Sequence, residues 1–100
     1  AKEYAENHST DAKIMYRYTA KDVFFVSEAA SEVVIEVLRD GKPLGTEAGS
    51  DITRTPDGKT ILHIKEARLY TIIKGQPETT NILELIIKQP GLKAFTFTFG

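Results

Sequence analysis

The last nine residues alternate: Phe95, Phe97 and Phe99 are separated by Thr96 and Thr98, between Leu92-Lys93-Ala94 and Gly100. Successive side chains of a strand point to opposite faces, so the pattern predicts a terminal strand with three phenylalanines in a core and two threonines outside. The same period recurs upstream. Lys13 to Thr19 places Ile14, Tyr16 and Tyr18 on one face and Met15, Arg17 and Thr19 on the other. Asp22 to Ser27 contains Val23-Phe24-Phe25-Val26, apolar on both faces, which predicts a central strand. Ser31 to Arg39 turns Val33, Ile35 and Val37 inward and Glu32 and Glu36 outward.

The breaks between these runs carry turn chemistry. Asp40-Gly41 supplies the positive φ angles of a tight hairpin, and Lys42-Pro43-Leu44 returns as a short or edge strand because proline has no N–H. Gly45 to Thr55 is the longest irregular stretch, and Pro56-Asp57-Gly58 forms a turn after it. Thr60 to Lys65 is a strand with Leu62 and Ile64 inward, Glu66-Ala67 breaks it, and Arg68 to Lys74 is the next. After Gly75-Gln76-Pro77, the run Thr80 to Gln89 faces Leu83, Leu85 and Ile87 inward and Glu84 and Lys88 outward, and Pro90-Gly91 leads into the final strand. About eight short strands with no room for a long helix predict an all-β fold of two packed antiparallel sheets, and periodicity alone leaves immunoglobulin-like and jelly-roll connectivities open.

Residues 1–11 are polar around a single Tyr4, show no sustained period and are expected to be a linker, with the domain proper over 12–100. With 41% hydrophobic and 27% charged residues in 100, the composition is that of one globular domain. A formal net charge of -1 with scattered lysines gives no basic footprint, so no nucleic acid partner is expected. No apolar run approaches the roughly 20 residues that span a bilayer, so this segment is not expected to insert into a membrane itself. The sequence holds no cysteine, which removes thiol nucleophiles and thiolate metal sites from its own chemistry.

The order of these signatures resembles a known family. Tyr16-Arg17-Tyr18 and Ala20-Lys21-Asp22-Val23-Phe24-Phe25-Val26 come first, then the hairpin Val37-Leu38-Arg39-Asp40-Gly41-Lys42-Pro43-Leu44-Gly45. Asp51, Glu66-Ala67-Arg68-Leu69-Tyr70, Leu83-Glu84-Leu85, Pro90-Gly91 and the Phe-Thr-Phe ending follow. Together, from about Ile14 to Gly100, they resemble the C-terminal domain of DipZ-like proteins, thioredoxin-containing thiol–disulfide proteins related to cytochrome c biogenesis. The resemblance implies a jelly-roll-like sandwich similar to carbohydrate-binding modules. It also implies an upstream thioredoxin-like domain on the same chain, reached through residues 1–11, and in full-length members a membrane-embedded segment before that. The expected location is extracytoplasmic, in the periplasm or cell envelope. Disulfide exchange requires a thiolate, so the redox chemistry would belong to the thioredoxin-like domain.

The residues offer little catalytic chemistry. His8 falls in the expected linker and His63 on an outer strand face, no Gly-x-Ser-x-Gly motif or phosphate-cradling glycine motif is present, and no metal site or cofactor is expected. Glu32 and Glu36 recur along one strand face, as solvated residues do. No catalytic residue is expected. The candidate ligand-binding residues are Tyr16, Tyr18 and Tyr70, whose rings could stack on the C–H face of a sugar, and Arg17, Asp51 and Arg68, which could bond its hydroxyls. The function expected is a non-catalytic accessory domain that helps a thioredoxin-like domain position substrates or partners. The alternative is a carbohydrate-binding module that anchors the parent protein to cell-envelope glycans.

Overall fold

The computed structural model describes residues 5–6 and 12–100. Among the described residues ten strands follow in chain order: β1 (Ala5–Glu6), β2 (Ala12–Thr19), β3 (Val23–Ala29), β4 (Val33–Arg39), β5 (Lys42–Pro43), β6 (Ile52–Arg54), β7 (Thr60–Ile64), β8 (Arg68–Ile73), β9 (Thr80–Ile87) and β10 (Leu92–Phe99). One sheet runs β1-β10-β3-β8 and the other β2-β9-β4-β7-β6, with β5 paired to β4. Every pairing is antiparallel. Apart from β5 and β6, the strands alternate between the sheets in pairs that wind from outside to centre, which is jelly-roll connectivity. The sandwich expected from the strand pattern is therefore present, and the order of its strands resolves the choice the pattern left open.

The inward faces match the alternation in sequence. Val33, Ile35 and Val37 of β4, Leu62 and Ile64 of β7, and Leu83, Leu85 and Ile87 of β9 are buried against Val23 and Phe25 of β3 and Tyr70 and Ile72 of β8. β3 lies between β10 and β8, as its two-sided apolar run predicts. The Asp40-Gly41 hairpin forms with φ of 53° and 79°, the left-handed pair its two-residue turn requires. His63 is exposed on the outer face, its Nδ1 2.8 Å from Glu32 Oε2. His8 lies outside the described residues.

Three features depart from the sequence reading. Within the stretch expected to be a linker, Ala5–Glu6 pairs with Ala94 and Lys93; the rest of 1–11 lies outside the described residues. Ile52–Arg54 is a strand inside the run expected to be irregular.

The third departure concerns the ending. Pairing slips between Ala94↔Ser27 and Thr96↔Val26, so Phe95 is the extra residue of a β-bulge. The bulge switches the alternation: Leu92 and Ala94 face inward before it, and Phe97 and Phe99 after it. Phe95 and Phe97 are half-buried and Phe99 is exposed, so the ending does not put three phenylalanines into the core. A second slip, between Val23↔Ile73 and Phe24↔Thr71, inserts Ile72 into β8 and lets Ile72 and Ile73 both be buried.

Candidate functional site

The predicted site residues fall into two groups on either side of β3, with Arg17 belonging to neither. The first group is aromatic. Tyr16 and Tyr18 of β2 point between the sheets toward Phe97 and Phe99 of β10. The ring of Phe97 is 4.8 Å from Phe25 and 5.3 Å from Tyr16, and Phe99 is 5.4 Å from Tyr16 and 5.9 Å from Tyr18. The row starts at Phe25, fully buried, and surfaces at Tyr16, 44% exposed, and Phe99, 36% exposed. Rings packed at these separations constrain one another, and the exposed pair forms a continuous apolar surface.

Tyr18 joins this row to a polar cluster. It is buried, and its hydroxyl donates to Gln76 Oε1 at 3.1 Å. The same oxygen accepts from Arg39 Nη1 at 3.0 Å, while Gln76 Nε2 donates to the Ala20 carbonyl at 2.7 Å. Burial pushes the Tyr18 phenol up from its ordinary value, against the Gln76 hydrogen bond and the Arg39 charge, which lower it. Arg39 Nε lies 3.2 Å from Oε2 of the buried Glu47, off the N–H direction, so charge attraction rather than a directed bond pairs them. Glu47 Oε1 accepts from Gly45 N at 3.0 Å. Beside the cluster, Asn81 Nδ2 and Ile82 N donate to the Asp40 carboxylate at 2.6 and 2.9 Å. The Asn81 bond, then the Ile82 bond, holds the Asp40 carboxyl below the usual aspartate range.

The second group is Asp51, Arg68 and Tyr70. Arg68 donates two bonds to the Asp51 carboxylate, and its guanidinium lies 3.9 Å above the Tyr70 ring centroid. Tyr70 is buried; its hydroxyl donates to the Glu66 carbonyl at 2.7 Å and accepts from Lys65 N at 3.1 Å. Both ends of this trio are satisfied within the chain. Asp51 and Arg68 thus act as a clasp between the segment before β6 and the start of β8, and Tyr70 as a core residue beneath it. Arg17 stands exposed on the outer face of β2, opposite Ile82.

Sequence reasoning found Tyr16 and Tyr18 but missed Phe99, whose place in an apparent core run concealed its exposure. It also missed Gln76, Arg39 and Glu47. A glutamine between Gly75 and Pro77 carries no sign of burial, because that burial depends on the return of β2, β4 and β9 to one end of the sandwich. Among the described residues no group of three or more His, Asp or Glu is placed to hold a metal. The exposed rings of Tyr16 and Phe99 suit recognition of an apolar or C–H surface, and the charged groups behind them fix the frame.

No curated protein matches the chain. Among solved structures, it is similar to a family two carbohydrate esterase from Clostridium thermocellum in complex with cellohexaose, at a TM-score of 0.65 and 11% identity, covering 98% of this chain and 31% of that one. An active site mutant of a family two carbohydrate esterase from the same organism also has TM-score 0.65 and 11% identity, covering 100% of this chain and 32% of that one. The chain spans about a third of the length of these enzymes, and the likeness is one of fold. A family model described as a thioredoxin-like C-terminal domain matches residues 1–100, and the chain belongs to that family.

Proposed function

We propose that this chain is a non-catalytic accessory domain of an extracytoplasmic, DipZ-like thiol–disulfide oxidoreductase. It would sit beside a thioredoxin-like domain of the same polypeptide and help position that domain's substrates or partners. The observation that carries this reading is the family match over residues 1–100 in a sequence without cysteine. Exchange needs a thiolate to attack a sulfur, so a domain of this family lacking thiols contributes binding and geometry rather than electron transfer. Reduction of a protein disulfide by the parent protein, by the parent lacking this domain and by the isolated chain tests the reading. The expected outcome is no turnover by the isolated chain and a raised KM for the protein substrate in the shortened parent. Turnover by the isolated chain at the parent's rate would overturn it.

A second reading is a carbohydrate-binding module that holds the parent protein to cell-envelope glycans. The exposed rings of Tyr16 and Phe99 favour it, since sugar C–H faces stack on such surfaces. A glycan array followed by calorimetry on the purified chain tests this. Sugar-dependent heat that is lost in Tyr16→Ala supports it, and silence at millimolar oligosaccharide counts against it.

A further inference from the structure

A strand at the border of a sheet presents a row of backbone N–H and C=O groups with no ladder partner. Three of the four borders here are blunted. β1 has two residues and covers β10 only at Lys93 and Ala94, beyond which the bulge at Phe95 interrupts that edge, and β6 has three residues. The edge of β8 is covered by the segment before β6, where Lys74 N donates to the Glu47 carbonyl at 2.8 Å and Gly49 N to the Ile72 carbonyl at 2.7 Å. β2 is different. It has eight residues, pairs with β9 from Ala12↔Ile87 to Thr19↔Thr80 without a bulge, and contains no proline. Among the described residues, none bonds to its other side.

The side chains along this edge define a chemistry. The outer face carries Lys13, Met15 and Arg17 at successive same-face positions, with Met15 59% exposed. Lys13 is 3.1 Å from Glu84, whereas Arg17 makes no ion pair among the described residues. A second copy of β2 fits poorly. In the two-fold register centred on Met15, each Lys13 would lie opposite an Arg17, and like charges directly opposite are destabilising. A strand bearing carboxylates meets the opposite condition.

We propose that β2 is a docking edge for an extended polypeptide segment that adds to the six-stranded sheet antiparallel to it. Carboxylates four residues apart lie opposite Arg17 and Lys13, and an apolar side chain between them covers Met15. Main-chain bonds supply the attraction and the side-chain pattern supplies the selectivity, as in other cases of strand addition.

The test uses the purified chain and a fluorescein-labelled peptide, Thr-Glu-Thr-Val-Thr-Glu-Thr, with a partner peptide in which lysine replaces both glutamates. Anisotropy is expected to rise with the acidic peptide, with affinity falling about tenfold in Arg17→Glu and again with added salt. Amide exchange along Met15 to Arg17 is expected to slow when the peptide binds. Arg17 is exposed and its replacement leaves the core intact; Arg17→Gln, expected to weaken binding less, serves if the charge reversal does not fold. Absence of binding at millimolar peptide overturns the proposal. So does equal binding of the lysine peptide, unchanged affinity in both Arg17 variants, or sedimentation showing that β2 is occupied by a second copy of the chain.

Discussion

Arg68 and Asp51 meet as a two-pronged pair: Nη2 donates to Oδ1 at 2.9 Å and Nη1 to Oδ2 at 3.3 Å. The Thr71 amide donates to the same Oδ2 at 2.7 Å, so one carboxylate fastens the segment before β6 to two positions of β8. That segment covers the β8 edge, and the pair is its lock. Asp51→Ala is expected to lower stability by about 1 to 2 kcal/mol, mostly through the Thr71 amide left without its acceptor, since half-exposed ion pairs contribute little on their own. Asp51→Asn keeps an acceptor and should cost less. Urea unfolding of the three proteins measures the order.

The same carboxylate gives an acid dependence. The Arg68 hydrogen bond, ahead of the Thr71 bond, holds the Asp51 carboxyl below the usual aspartate range, and Asn81 does the same for Asp40. A depressed folded-state pKa contributes stability that is present above the unfolded value, about 3.9, and lost as pH falls through the folded one. Stability should therefore fall below about pH 4, and Asp51→Asn, already less stable than the native protein at neutral pH, should fall less steeply, so that the gap between the two closes in acid. Denaturation midpoints between pH 2 and 6 give both slopes.

Gly49 sits where the covering segment touches β8. A Cβ there would lie 2.4 Å from the Thr71 carbonyl oxygen and 2.9 Å from the Ile72 carbonyl carbon, both backbone atoms that a rotamer change cannot move. Gly49→Ala must push the segment off the edge and break the Gly49 to Ile72 bond of 2.7 Å. The expected cost is about 2 to 3 kcal/mol, seen as a lower unfolding midpoint together with faster exchange of the amides at position 49 and Lys74.

Much of the sandwich was legible because burial on one face writes itself as alternation. Val33, Ile35 and Val37, and Leu83, Leu85 and Ile87, are buried where their spacing puts them. The ending was misread for a local reason: Phe95, Phe97 and Phe99 share a parity in sequence, but the bulge at Phe95 puts Leu92 and Ala94 on the face that Phe97 and Phe99 take up only afterwards. Bulges leave no period of their own. The site was legible only in part, since Tyr16 and Tyr18 announce themselves while Gln76 and Glu47 acquire their roles from strands distant in sequence.

Phe97 stacks on the buried Phe25 and Phe99 lies toward solvent, so the two phenylalanines should not be equivalent. Phe97→Ala is expected to cost about 2 to 3 kcal/mol and Phe99→Ala about 1 kcal/mol. Deleting Ala94 to Gly100 removes most of a strand that lies between β1 and β3 and uncovers β3 from Val23 to Ser27. Calorimetry should then show no cooperative transition; one that persists would mean that β10 is not integral to the fold.

The Tyr18–Gln76–Arg39 junction makes the last prediction. Gln76→Ala removes the partner of a buried hydroxyl, a guanidinium and the Ala20 carbonyl together, and the expected loss is about 2 to 4 kcal/mol. Tyr18→Phe leaves Arg39 bonded to Gln76 and should cost about 1 kcal/mol at neutral pH. The native protein and Tyr18→Phe respond differently to alkali. Burial raises the folded Tyr18 pKa above the unfolded value of about 10, so its contribution is complete below pH 10 and is lost as pH rises through the folded value. Between pH 9 and 11 the native protein should therefore lose stability faster than Tyr18→Phe, and the gap between their urea midpoints should narrow. Parallel curves would mean that the phenol ionises as easily in the folded chain as in the unfolded one, and that the Gln76 bond and the Arg39 charge offset the burial in full.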